Sequence, residues 1–347
     1  MRFRRTRLAL AVAAGLAAVA VALAISCALG PQPISLAAAF RGVDPDAAIL
    51  WGLRLPRAVL AALVGCALSA AGTALQALLR NPLAEPFVLG VSGGAALGGA
   101  MVLVAAAGLA TLAGGAGAVL GSAPPVALGA VVGAVASTGL VFGLGRIAGR
   151  LVPEAALLVG IVFNAFAAGV ITLLRMLAPP EQAARLTYWL LGVVGYETPG
   201  TLAAGAVLVG LSAGALTLLS AQLNLLTLGE EEAASLGLDV RRARAWVFFA
   251  ASAATGAAVA LAGMVGFVGL IVPHLVRRVV GPDHRLLVPA SALFGAAFLV
   301  LADAVARLLF LPLGTEPPVG AVTAFLGGPF FLWLLRRTAR PDAEGSA

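Results

Sequence analysis

Long apolar runs separated by short polar joints organise this chain. Nine of them, residues 8–29, 55–79, 87–107, 123–144, 155–174, 202–219, 245–265, 286–305 and 319–335, approach the roughly 20 residues a helix needs to cross a bilayer. The piece 266–276 has only 11 residues, and at about 1.5 Å per residue it covers about half of the hydrocarbon core. If Arg244 and the pair Arg277 and Arg278 lie on one side, the chain between them must leave and return, and this piece is the return leg. The pattern predicts an all-α membrane protein of ten segments, one of them short, with both termini on the cytoplasmic side.

The longest polar interruption is the stretch 224–244, NLLTLGEEEAASLGLDVRRAR, with seven charged side chains in 21 positions. Thr227 followed by Glu230 has the spacing of a capping box, Gly237 suits a helix stop, and Asp239 can cap the next helix. The reading is a short acidic helix, a glycine break and a new helix beginning in arginines, all outside the apolar phase.

Composition agrees with a polytopic membrane protein. The chain is 61% hydrophobic with 43 glycines, and 11% charged where soluble domains have about 25%. Its net charge of +7 comes from arginines dispersed beside apolar runs, without a basic face interleaved with aromatics, so nucleic acid is not the expected partner. The ten-segment topology places 16 arginines inside and leaves six outside, Arg41, Arg54, Arg57, Arg175, Arg185 and Arg307. There is no lysine, which excludes a phosphate-binding Walker loop and Schiff-base chemistry. Any nucleotide energy must come from another subunit. Cys27 and Cys66 both fall in apolar runs, so neither a disulfide framework nor a zinc site is expected. Arg2, Arg4, Arg5 and Arg7 precede the run 8–29, which exceeds the about 7–15 apolar residues of a signal peptide and reads as a first span.

Small residues recur through the spans, as in GCALSAAGTALQ, and permit close helix packing. A small-residue helix leading into RNPLAEPFVLG echoes another leading into GFVGLIVPH, and the topology runs the two units in opposite directions. No soluble domain is visible, so residues 1–347 read as one transmembrane domain.

Few residues carry chemistry. Gln76, Asn81 and Asn164 are polar positions in or beside spans, suited either to a pathway or to interhelical hydrogen bonds. Asp303 and Arg307 are four apart and share a helix face, where they can pair. Glu85, between prolines, reads as a solvated loop residue or a helix-start anion. His274 follows Pro273 in the short segment, and burial with a backbone hydrogen bond explains it without catalysis. Ser92 in GVSG has the form of an intramembrane serine protease nucleophile with His274 as base, a short match in a glycine-rich chain. Arg54, Arg57 and Arg307 at the outer ends either snorkel to headgroups or form a positive ring for carboxylates of a docking protein. An ion-coupled secondary transporter is disfavoured because the spans hold no embedded acid except Asp303, near an end.

The strings LRLPRAVLAALVGCALSAAGTALQALLRNPLAEPFVLGVSGGAALG, LNLLTLGEEEAASLGLDVRRAR, GFVGLIVPHLVRRVVGPDHRLLVPASALFGA, ADAVAR and PVGAVTAFLGGPFFLWLL follow one another in order. On these the chain resembles the FecCD-type permease family, membrane subunits of type II ABC importers for iron-siderophore, haem or cobalamin. Departures are Glu316-Pro317-Pro318, where an aliphatic residue usually follows the Glu, and LLGVVG after Trp189 in place of Gly-Ser.

The resemblance implies ten spans per subunit with an inverted repeat, a homodimer with its pathway on the dimer axis, and a multi-pass location in the bacterial inner membrane. Two ATP-binding subunits, which use ATP and Mg, sit below, and a periplasmic or lipid-anchored substrate-binding protein docks above. The chain itself is not an enzyme and binds no cofactor. Arg54, Arg57 and Arg307 are implied as docking residues. Thr227, Glu230, Glu231, Glu232, Ala233, Leu236, Gly237 and Leu238 are implied to couple to the ATPase. Gln76, Asn81, Pro82, Asn164, Pro273 and His274 are assigned to the translocation pathway. The cargo expected is an iron chelate, siderophore or haem, with cobalamin the alternative.

Overall fold

The computed structural model describes residues 5–113, 123–147 and 150–338. Arg2, Arg4 and Arg340, three of the arginines counted on the cytoplasmic side, lie outside them. The elements run α1 (Arg5–Ala28), α2 (Leu36–Phe40), a π-helical turn (Ala48–Arg54) continuing into α3 (Leu55–Leu78), α4 (Val91–Ala113) and α5 (Ala123–Leu144). A two-residue antiparallel pair, β1 (Arg146–Ile147) and β2 (Arg150–Leu151), leads to α6 (Pro153–Leu177), α7 (Pro180–Leu190) and α8 (Pro199–Leu218). Then follow α9 (Ser220–Leu226), α10 (Glu230–Ser235), α11 (Val240–Ala262), α12 (Val268–Val280), α13 (His284–Leu308), α14 (Phe310–Leu313) and α15 (Val319–Thr338).

The fold is helical, and among the described residues seven helices are long and apolar enough to cross a membrane, with two shorter apolar helices at Val91–Ala106 and Val319–Leu334. The short segment begins at Val268 and continues through the arginines to Val280, where Gly281 at φ +90° stops it. That is later at both ends than the apolar run 266–276, because Phe267 is left-handed at φ +67° and basic side chains are well placed in a last helical turn.

The core is built around α3. Eighteen of its 24 residues are buried, many of them alanine or glycine. Small residues serve here because α3 meets its neighbours backbone to backbone: a methyl on Gly65 would overlap the Gly295 carbonyl of α13, and one on Gly72 the Gly269 carbonyl of α12. In lipid, such packing replaces the hydrophobic drive available in water.

Contact pairs fix the directions. Arg57 meets Asp303 and Gly65 meets Gly295, so α3 and α13 are antiparallel. Gly15 meets Leu293 and Ser26 meets Arg307, so α1 and α13 are parallel. The stretch 224–244 joins the start of α13 through Asn224, and Arg278 lies 5.5 Å from the Trp333 ring of α15. Arg5, Arg7, the acidic loop, Arg277, Arg278, Arg285 and Arg336 therefore gather at one end of the bundle. Arg54, Arg57 and Arg307 mark the other.

Candidate functional site

At the arginine-rich end, α10 is a six-residue stub. Thr227 does not cap it: the Thr227 hydroxyl donates to Asn224 O, one turn back on α9, and Gly229 at φ +136° takes the N-cap position. The capping-box expectation fails because α9 continues to Leu226 and the chain needs a glycine to turn. The other two signals hold. Gly237 at φ +87° closes α10, with Gly237 N–H donating to Ala234 O at 2.9 Å and Leu238 N–H to Ala233 O at 3.1 Å, a Schellman pair. Asp239 caps α11 by accepting from Arg242 N at 3.0 Å.

The three glutamates differ. Glu230 turns inward and pairs with the buried Arg244 of α11. Glu231 and Glu232 are exposed, as are Leu228 and Leu236, while Ala233 is fully buried and seats the stub. Two exposed leucines beside acidic groups form an apolar and negatively charged knob.

Behind this knob, Asn224 Nδ2 donates to Asp283 Oδ1 at 2.7 Å, and Asn224 Oδ1 accepts from His284 N and faces His284 Nδ1, each at 2.8 Å. Hydrogen bonds from Arg285 and Asn224 hold the Asp283 carboxyl down at about 2, so it is ionised at neutral pH.

Of the residues assigned to the pathway, Gln76, Asn81, Pro82 and Asn164 lie in or against two non-helical stretches, residues 79–90 and 263–267. α12 has 13 residues, so Phe267 lies about 20 Å in from the Val280 end, at membrane depth. Irregular backbone there must be satisfied by protein. Glu85 does this: it is 7% exposed and its carboxylate accepts the Phe267 N–H at the start of α12. Of the two readings of this proline-rich setting, burial overturns the solvated loop, and the contact with Phe267 makes Glu85 a helix-start anion. Gln76 reaches the same place, Nε2 donating to Gly269 O at 3.1 Å. Asn81 accepts from Leu83 N at 2.9 Å and shapes the turn, whereas Pro82 is exposed.

Asn164 lies on the other side of the 79–90 stretch, Nδ2 donating to Phe87 O at 2.5 Å. It borders a cleft of about 300 Å³ with Phe87, Ile171, Thr172, Arg175 and Met264. Pro273 is buried within α12, and His274 places its ring edge-on to Phe330 of α15 at 5.8 Å. The assigned residues thus fall on both sides of the 79–90 stretch, with Asn81 and Pro82 within it. Ser92 is buried, and among the described residues its Oγ has no hydrogen-bond partner that could act as a base.

At the opposite end, Arg54, Arg57 and Arg307 are 5–6% exposed and turn inward, away from headgroups. Arg54 donates to the carbonyls of Cys27 at 2.8 Å and Ala28 at 3.0 Å, and to that of Gln32. Arg57 grips Asp303 at 2.9–3.2 Å and also pairs with Glu316. Arg307 donates to Ser26 Oγ at 2.6 Å and lies 3.2 Å from Asp303. The i, i+4 pairing of Asp303 and Arg307 was legible in sequence. The second arginine, 246 positions away, was not.

A profile of the FecCD transport family matches residues 16–337. The hemin transport system permease protein of Yersinia pestis is 40% identical over 297 residues, 83% of this chain and 83% of that protein. The cobalamin import system permease protein of Halobacterium salinarum is 40% identical over 296 residues, 85% of this chain and 75% of that one. Among solved structures, an inward-facing metal-chelate type ABC transporter superposes with a TM-score of 0.79 at 28% identity, over 94% of this chain and 98% of that one.

Proposed function

The chain belongs to the FecCD transport family, and from that premise we propose that it is the membrane-spanning permease of an ATP-driven importer for an iron chelate. The observation that carries this is the family match across nearly the whole chain. Hemin and cobalamin permeases are equally similar to it, at 40% identity each, so cobalamin stands as the alternative cargo to siderophore or haem.

In this reading ten segments, related as an inverted repeat, cross the bacterial inner membrane with both termini in the cytoplasm. Two copies assemble around a shared pathway. The clustering of Arg5, Arg7, Arg277, Arg278, Arg285 and Arg336 with the acidic stub supports the orientation through the positive-inside rule. The knob of Leu228, Glu231, Glu232 and Leu236 seats on an ATP-binding subunit, which carries the nucleotide chemistry this lysine-free chain lacks.

A loaded binding protein docks on the opposite end. Its carboxylates reach Arg57 by replacing Glu316, the half-buried partner, while Asp303 stays in place. Gln76, Asn81, Pro82, Asn164, Pro273 and His274 lie around the two broken stretches, where a change in helix packing opens or closes the way through. Cargo moves because the two permease states bind it differently.

The test is native mass spectrometry of the tagged permease purified in mild detergent. Two permease copies with two ATP-binding subunits support the proposal. A permease that stays alone when ATP-binding subunits are co-expressed with it contradicts it.

A further inference from the structure

We propose that Asn224 is the positioning residue through which movement of the acidic stub reaches the short helix α12. The inference rests on the reading of this chain as an ABC importer permease and adds the route of coupling.

Asn224 stands on α9, one turn before the stub, and grips the corner between α12 and α13 with three contacts from one side chain. Its amide donates to Asp283, and its carbonyl oxygen receives both the backbone N–H of His284 and the ring Nδ1. The backbone N–H can only donate, which fixes the Asn224 oxygen on that side and requires His284 to carry its proton on Nδ1. Asp283 is in turn the N-cap of α13, accepting from Arg285 N at 3.1 Å. The grip therefore closes on the last rigid point before α13 and just past Gly281, where α12 ends.

Besides the seat of Ala233, the stub is joined to the bundle on both sides. Glu230 ties it to Arg244 near the start of α11. On its other side the chain passes Gly229 into α9, which packs on α3 and α13. Left-handed or extended-positive glycines flank the stub, Gly229 at φ +136° and Gly237 at φ +87°, so it can tilt as one body. The arginine link drags α11. The α12–α13 corner is reached through Asn224. At its far end α12 carries Phe267, held by Glu85 in the broken stretch, so a displacement at the corner is delivered about 20 Å inward, to the pathway.

The test uses the assembled complex with its ATP-binding subunits and binding protein in proteoliposomes, with hemin, cyanocobalamin and a ferric siderophore as probes, and uptake per ATP hydrolysed as the readout. Asn224→Asp sets a carboxylate against the ionised Asp283. It should lower uptake per ATP about tenfold while subunit assembly and basal ATPase stay within about twofold of wild type. A role in folding alone would lower assembly and ATPase together and leave uptake per ATP unchanged. Asn224→Ala, which introduces no repulsion, should be uncoupled like N224D. Wild-type uptake per ATP in N224A overturns the inference. Failure of the wild-type complex to use ATP for uptake of hemin, cyanocobalamin or a ferric siderophore instead overturns the importer reading, and the inference with it.

Discussion

The Glu85 carboxylate accepts the backbone N–H of Phe267 across 182 residues of sequence. Phe267 adopts a left-handed backbone, a conformation that costs a bulky residue about 1–2 kcal/mol, and it opens α12 with an N–H that no helical carbonyl can satisfy. An anion at that helix start answers both its hydrogen bond and its dipole. Glu85→Ala should destabilise the permease by about 1–3 kcal/mol, whereas Glu85→Gln, which keeps an acceptor oxygen, should lose less. Thermal unfolding in detergent checks the order; an Ala variant that melts with wild type removes Glu85 from this role.

Gly72 is held by contact rather than by turn geometry, since a methyl there would strike the Gly269 carbonyl. Gly72→Ala should cost about 1–3 kcal/mol through overpacking and part α3 from α12. Gly210 of α8 has nothing within 4 Å of an added methyl, and Gly210→Ala should be neutral or stabilising by up to about 1 kcal/mol. The monodisperse fraction on gel filtration compares the two directly.

Asp303 is shared between two buried arginines. Removing it with Asp303→Ala leaves Arg307 without a carboxylate and Arg57 with Glu316 alone, and breaking a buried pair in this way costs about 3–5 kcal/mol. Glu316 is 31% exposed and its loss should be far milder. If docking draws on Arg57, Glu316→Gln should strengthen binding-protein affinity, read by surface plasmon resonance at fixed salt. Weaker affinity would place docking elsewhere on this face.

At the other end, Leu236 is 60% exposed beside Glu231 and Glu232. Leu236→Glu should leave permease folding intact and weaken co-purification of the ATP-binding subunit by about tenfold or more, as loss of an interface anchor does. Unchanged co-purification would contradict the seat assigned to this knob.

Spans were legible because about 20 apolar residues in a row have few other uses. The helix stop at Gly237 and the cap at Asp239 were legible because each is a local decision. Thr227 and Glu230 had the right spacing for a capping box, yet Gly229 supplies the turn, so spacing without the intervening φ misled. Glu85 reads in sequence as a solvated loop residue or a helix-start anion because prolines stand at 82 and 86; it is the latter, but at a helix whose start lies 182 residues away. Arg57 and Asp303 likewise meet only through the antiparallel packing of α3 and α13. Burial of polar groups by long-range packing is what a linear pattern leaves out.

The most direct test of the account is uptake by proteoliposomes holding the permease with its ATP-binding subunits, with the binding protein and labelled hemin or cyanocobalamin outside and ATP inside. Accumulation should require both ATP and the binding protein and should survive collapse of proton and sodium gradients by ionophores. Uptake that proceeds without ATP and stops when an ion gradient is collapsed would contradict an ATP-driven permease.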